Sequence, residues 1–173
     1  MDFELRRAIV DDADAIARVQ VESWRSTYAG IVPEDYLQSL DVEDRTASWA
    51  KHLLDGSMLA FVALDVVGIF GFVCGGKLRG ELASFDAELY AIYLLRRSQR
   101  CGAGTALTTS LAAALRSEGY KGMAVWVLEK NLPAVGFYRR LGAIQIAEKP
   151  IDIGGAALIE LALGWPTLQL NLP

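Results

Sequence analysis

An α/β fold follows from the order of apolar patterns along this 173-residue chain. Glu88 to Leu95 is an apolar, aromatic run of strand composition, and Ala124 to Leu128 is another. Each precedes a segment with helix spacing. Leu107, Leu111 and Leu115 recur every four residues, and Ala134, Phe137 and Leu141 form a stripe. With 53% hydrophobic and 22% charged residues the chain can bury a substantial core, which excludes a disordered polypeptide. Its length suits one domain, residues 1–173, and no linker, repeat or low-complexity tract divides it.

The elements follow in order. Phe3 to Val10 reads as an edge strand. Asp11, Asp12 and Asp14 open a helix at its favourable acidic end, and it carries Ile16, Val19 and Trp24 until Gly30 and Pro33 break the pattern. A second helical region spans 33–54 in two pieces. The apolar stretch from Leu59 to Gly76 is long enough to suggest a membrane span, but Asp65-Val66-Val67-Gly68 offers a turn in its middle. A hairpin of two buried strands, 58–65 and 68–77, is the better reading. A loop then leads to the strand 86–95, helix 103–118, strand 122–128, helix 132–141 and strands 143–149 and 155–163. Asn131 is a good N-cap for the helix at 132, Pro133 suits its first turn, and Gly142 suits its end.

The turn between strand 86–95 and helix 103–118 reads Gln99-Arg100-Cys101-Gly102-Ala103-Gly104. A glycine turn opening a helix leaves backbone N–H groups without intrahelical partners, and the glycines let a ligand approach them. With the positive end of the helix dipole, such a turn suits an anionic phosphate. Arg96, Arg97 and Arg100 add charge there. The string is not a Walker A loop, because no Gly-x-x-x-x-Gly-Lys-Ser/Thr occurs. It is not the dinucleotide fingerprint either, because Leu107 stands where glycine or alanine is needed.

Taken together, the two segments resemble the GNAT family of acetyl-CoA-dependent N-acetyltransferases. Gln99-x-x-Gly102-x-Gly104 matches the family's pyrophosphate motif, and Asn131-x-x-Ala134-x-x-Phe137-Tyr138-x-x-Leu141-Gly142 matches its second motif. Trp24 to Pro33 looks like the first helical segment of one large group of these enzymes. The resemblance implies a three-layer arrangement: a mixed, mostly antiparallel sheet of about seven strands flanked by helices, with strands 86–95 and 122–128 splayed to admit pantetheine. It departs from the usual pattern at Arg96-Arg97-Ser98, where many relatives carry a proline and an acidic or aromatic residue.

The implied cosubstrate is acetyl-CoA, with no metal. Its binding residues would be the main chain of Ile92, Tyr93 and Leu94, the loop Gln99, Arg100, Cys101, Gly102, Ala103, Gly104 and Thr105, and the side chains of Asn131 and Tyr138. Attack of an amine on a thioester needs deprotonation of the amine, stabilisation of the carbonyl oxygen and protonation of the departing thiolate. By the resemblance Tyr138 supplies that last proton, a backbone N–H near Leu94 or Leu95 faces the oxygen, and Glu88 is the general base, with Glu129 a second candidate. Trp24 and Tyr28, with Tyr36, would line the acceptor pocket. His52, the sole histidine, lies in a helical run with no nucleophile motif beside it and reads as a surface or packing residue. The implied reaction moves acetyl directly to the primary amine of a small molecule or peptide in a ternary complex. An acyl-CoA-binding sensor or interaction module with little turnover is the alternative.

A net charge of −4 argues against a general nucleic-acid binder and mildly favours a cationic acceptor. Two cysteines, Cys74 and Cys101, make no disulfide framework. The N-terminal residues are too charged for a signal peptide, so a cytoplasmic location without membrane attachment is expected. Dimers are common among similar proteins, which makes a homodimer a further expectation.

Overall fold

The computed structural model describes residues 2–170. Its strands are β1 (Glu4–Arg7), β2 (Leu59–Asp65), β3 (Gly68–Lys77), β4 (Ala87–Leu94), β5 (Met123–Leu128), β6 (Ile144–Ile153) and β7 (Ala156–Trp165). Its α-helices are α1 (Ala13–Thr27), α2 (Glu34–Gln38), α3 (Val42–Asp55), α4 (Ala103–Ser117) and α5 (Leu132–Arg140). All seven strands form one open sheet in the order β1-β2-β3-β4-β5-β7-β6. Every neighbouring pair is antiparallel except β4 and β5.

Local chemistry explains most element ends. The Asp12 carboxylate accepts two bonds from Arg6, at 2.7 and 2.8 Å, and one from the Ile9 N–H at 2.9 Å, which fixes the corner between β1 and α1. Asp41 caps α3 through the Asp44 N–H, and Gly56, at φ +62°, ends it. The hairpin turn expected at Asp65 is present, with Asp65 Oδ1 accepting from the Val67 and Gly68 N–H groups. Asn131 Oδ1 accepts from the Ala134 N–H at 3.3 Å and so caps α5.

One boundary differs clearly. The strand expected at 143–149 runs further: β6 continues through Pro150, which pairs with Ile159, to Ile153. A proline is tolerated there because β6 is the sheet edge.

Helices cover both faces. Trp49 of α3 meets Phe72 edge-on at 5.0 Å, and Trp24 of α1 lies 6.5 Å from Tyr93. On the opposite face Leu107, Leu111 and Leu115 of α4 are fully buried, each stabilising the fold by about 1.5–3 kcal/mol.

Two irregularities shape the centre of the sheet. The β3–β4 register slips between Cys74 and Gly75, leaving Tyr90 as an extra residue on β4. Glycine is required at 75, because a Cβ would lie 2.5 Å from the Glu88 carbonyl oxygen. Next to this bulge, β4 and β5 pair only from Ala87–Met123 to Leu89–Val125. Beyond that point the strands part, as expected, and the β4 edge from Tyr90 to Leu94 has no strand beside it on the β5 side.

Candidate active site

The parted strands open onto a cavity of about 550 Å3. Its walls come from β4, β5, α5, the turn before α4 and the last turns of α1. The turn before α4 has the geometry that its sequence implied. Arg100 and Gly102 sit in the left-handed region, at φ +61° and +88°. Nothing lies within 4 Å of where a Gly102 Cβ would stand. The N–H groups of Arg100 through Thr105 find no backbone or side-chain acceptor among the described residues; the first such bond in α4 is Ala106 to the Gly102 carbonyl at 3.0 Å. These donors converge at the positive end of a helix of fifteen residues. Gly104 is also a packing residue, since a Cβ there would lie 3.4 Å from the Phe137 ring.

Cations gather around this mouth. Arg96, Arg100, Lys130 and Arg140 border the cavity. Arg97 does not; it lies 3.8 Å from Asp65. Gln99 borders the cavity while its amide donates to the Leu94 carbonyl at 3.2 Å. The Cys101 side chain turns away, and its thiol donates to the Ser98 carbonyl at 3.0 Å. Ala103 is fully buried beside it. Ile92, Tyr93, Leu94, Thr105 and Asn131 all border the cavity.

Tyr138 borders the cavity too and is only 5% exposed. Its ring lies 5.3 Å from Phe137 and 5.9 Å, edge-on, from Trp165. Trp165 in turn donates to the Leu141 carbonyl at 2.8 Å, tying the end of α5 to β7. The Tyr138 hydroxyl has no hydrogen-bond partner among the described residues. Burial, with Tyr28 nearby, holds its phenol well above the ordinary range and therefore protonated. Tyr93 is raised in the same direction, first by burial and then by the proximity of Tyr28. The Tyr28 phenol is also pushed up by burial, with Tyr93 and Asn131 pulling it partly back.

Four expected residues, Glu88, Trp24, Tyr36 and Glu129, stand elsewhere. Glu88 does not border the cavity. It is 2% exposed and its carboxylate is fully engaged: Arg79 donates from its side chain at 2.6 and 3.2 Å and from its backbone N–H at 2.9 Å. Both of its oxygens are thus taken up by Arg79 donors. Trp24 lies behind the wall, its ring tilted against Tyr28 at 4.7 Å and Tyr36 at 6.0 Å, with its indole N–H unpartnered. Tyr36 packs on the tip of the β6–β7 hairpin, where a Gly154 Cβ would be 2.7 Å away. Of the acceptor residues only Tyr28 reaches the cavity. Glu129 is exposed and outside it. His52 is half-buried and also outside the cavity, with Nδ1 3.0 Å from Ser57 Oγ.

Other wall residues carried no signal in the sequence. Ser23, Ser26 and Thr27 come from the end of α1, Ile31 from the turn after it, and Trp126 from β5. Small polar residues in a helix produce no periodic pattern. Trp126 shows only as an aromatic inside a strand.

Comparison with known proteins gives a consistent result. A family model described as Acetyltransferase (GNAT) family matches residues 16–143. The uncharacterized N-acetyltransferase YuaI of Bacillus subtilis (strain 168) is 44% identical over 166 residues, covering 95% of this chain and 94% of that one. A spermidine N(1)-acetyltransferase of Thermoplasma acidophilum is 25% identical over 145 residues, covering 82% and 88%. Among solved structures, the PaiA N-acetyltransferase of Thermoplasma acidophilum in complex with coenzyme A superposes with a TM-score of 0.74 at 23% identity, covering 93% of this chain and 98% of that one. The YncA structure of Salmonella typhimurium with acetyl-CoA gives 0.74 at 18% identity, covering 100% and 98%.

Proposed function

The chain belongs to the acetyltransferase (GNAT) family, and from that premise we propose that it transfers the acetyl group of acetyl-CoA to a primary amine held in the same cavity. The row of unpartnered N–H groups over the open Gly102 turn is the observation that carries this reading. It suits a diphosphate, and Arg96, Arg100, Lys130 and Arg140 supply the countercharge. The unpaired edge of β4 from Tyr90 to Leu94 suits the amides of a pantetheine arm, which would lie in the gap left by β5. Asn131 is half committed: its oxygen caps α5, and its amide nitrogen remains for the arm.

The bound cosubstrate supplies an activated acetyl thioester. The residues then divide the work. The walls hold the amine nitrogen against the carbonyl carbon, which replaces a bimolecular encounter by positioning. A main-chain N–H on the free edge of β4 near Leu94 faces the carbonyl oxygen as charge develops. As the new C–N bond forms and the C–S bond breaks, Tyr138 passes its phenolic proton to the sulfur. The amine's surplus proton goes to solvent, and solvent reprotonates the phenol. The phenol is neutral at pH 7, so it carries the proton that the departing sulfur needs.

Glu88 is held by Arg79 and has no part in this scheme. The cavity favours the uncharged nucleophile in another way. Desolvation away from any carboxylate lowers an ammonium pKa, so the amine loses its proton more readily on entering.

The test is a panel of amines with acetyl-CoA, following thiol release and identifying the product by mass. Stoichiometric N-acetylated product supports the reading. Tight coenzyme A binding with no acetylation of any amine overturns it.

A further inference from the structure

We infer that the acceptor is an aromatic or apolar monoamine and not a polyamine, an inference that rests on the acetyltransferase reading above. Charge is the first ground. Among the described residues, no aspartate or glutamate borders the cavity, whereas four cations do. Two carboxylates of the sheet outside the cavity are already paired. Glu88 is clamped by Arg79 at 2.6 Å, and Glu160 of β7 lies 3.7 Å from Lys149. With the four bordering cations engaged by the diphosphate, the remaining wall still offers a polycation no carboxylate, so it would have to shed its water without a protein anion to receive it, which is costly.

Aromatic faces are the usual substitute for carboxylates, and two of them are taken. Arg79 sits over the Tyr90 ring at 4.2 Å, and Lys149 sits over the Trp126 ring at 3.9 Å. The Tyr90 hydroxyl is engaged as well, donating to the Lys77 carbonyl at 2.6 Å. Tyr90 and Trp126 each already hold one cation, and Tyr28 and Ile31 add apolar bulk to the same wall. Such walls fit an arene or an alkyl body.

Ser23 supplies the polar group for the amine itself. It borders the cavity, is 2% exposed, and its Oγ has no partner in the protein. An unsatisfied buried hydroxyl calls for a ligand. Its lone pairs suit an N–H of the entering amine, and one such acceptor serves one nitrogen rather than a chain of them.

The experiment compares phenethylamine and tryptamine with spermidine and spermine, using the full-length protein and saturating acetyl-CoA. The account expects kcat/KM for the arylalkylamines to exceed that for spermidine by at least about tenfold, the ratio that a single well-placed interaction supplies. Ser23→Ala should raise the arylalkylamine KM by about tenfold while leaving the acetyl-CoA KM within about twofold. Ile31→Glu, which places a carboxylate on the wall, should move the ratio toward spermidine by about tenfold. If spermidine is the better substrate of the unaltered protein, the inference falls and the acetyltransferase reading stands. If none of these four is acetylated while another amine of the wider panel is, the inference alone falls; if no amine of any kind is acetylated, both fall.

Discussion

Removing the hydroxyl of Tyr138 separates chemistry from packing more cleanly than any other single change. In Tyr138→Phe the ring keeps its neighbours, Phe137 at 5.3 Å and Trp165 at 5.9 Å. The lost oxygen has no partner in the protein, so nothing is left orphaned. Stability should stay within about 1 kcal/mol, a Tm shift of roughly 2–4 °C for a domain of this size. The loss falls on the leaving group instead. General-acid assistance accounts for about 10²–10⁴ in rate, so kcat should drop by that factor, equivalent to roughly 3–5 kcal/mol of barrier. The Kd for coenzyme A should rise by less than about tenfold, because the diphosphate is held elsewhere. Stopped-flow or plate-reader thiol detection gives kcat, and calorimetry gives Kd. A kcat within about threefold of the parent, with Tm unchanged, refutes the proton-donor role.

Further outcomes follow from the same geometry. Because burial raises the Tyr138 phenol, the acid stays loaded at pH values where an ordinary tyrosine ionises, so kcat should hold steady through about pH 10; an alkaline fall centred near 8 contradicts this. Gly102→Glu places a carboxylate in the open turn and should abolish measurable coenzyme A binding by calorimetry while leaving a folded protein by circular dichroism; retained affinity would move the diphosphate elsewhere. Arg6 and the Ile9 N–H depress the Asp12 carboxyl below its unfolded value, so its stabilisation is present above about pH 4 and disappears as pH falls further. Asp12→Asn should therefore lower stability by about 1–2 kcal/mol at pH 7, less than for a fully buried pair because Arg6 is partly exposed. That gap should close below pH 4 in thermal melts, and a gap constant down to pH 2 would contradict the assignment. Glu88→Gln should lower Tm by breaking the Arg79 clamp yet leave the pH profile of kcat/KM unmoved; loss of an ascending limb would return Glu88 to the mechanism.

The turn proposed to hold the diphosphate was legible because its geometry is backbone geometry, and glycines announce backbone conformation. Gln99 to Gly104 could be read as a donor-rich turn without knowing what lay around it. The cap at Asn131 and the leucine stripe of α4 are local in the same sense. The splay of β4 from β5 came from resemblance, since no residue type records where two distant strands stop pairing. Glu88 shows why acid–base roles were harder. Its chemistry is set by Arg79, which the β3–β4 connection brings back over the sheet, and a strand pattern contains no sign of that return. Trp24 and Tyr28 share one helix face at a spacing of four, and only the packing of Tyr36 and Tyr93 decides that Tyr28 reaches the cavity. Ser23 shows up only through what it lacks, an acceptor or donor within reach, and that is a property of the fold.

A crystal structure with coenzyme A bound bears most directly on the account. Its diphosphate oxygens should stand about 3 Å from several of the main-chain nitrogens of Arg100 through Thr105, with the pantetheine arm between β4 and β5. A diphosphate bound elsewhere, with those nitrogens turned to other partners, would contradict it.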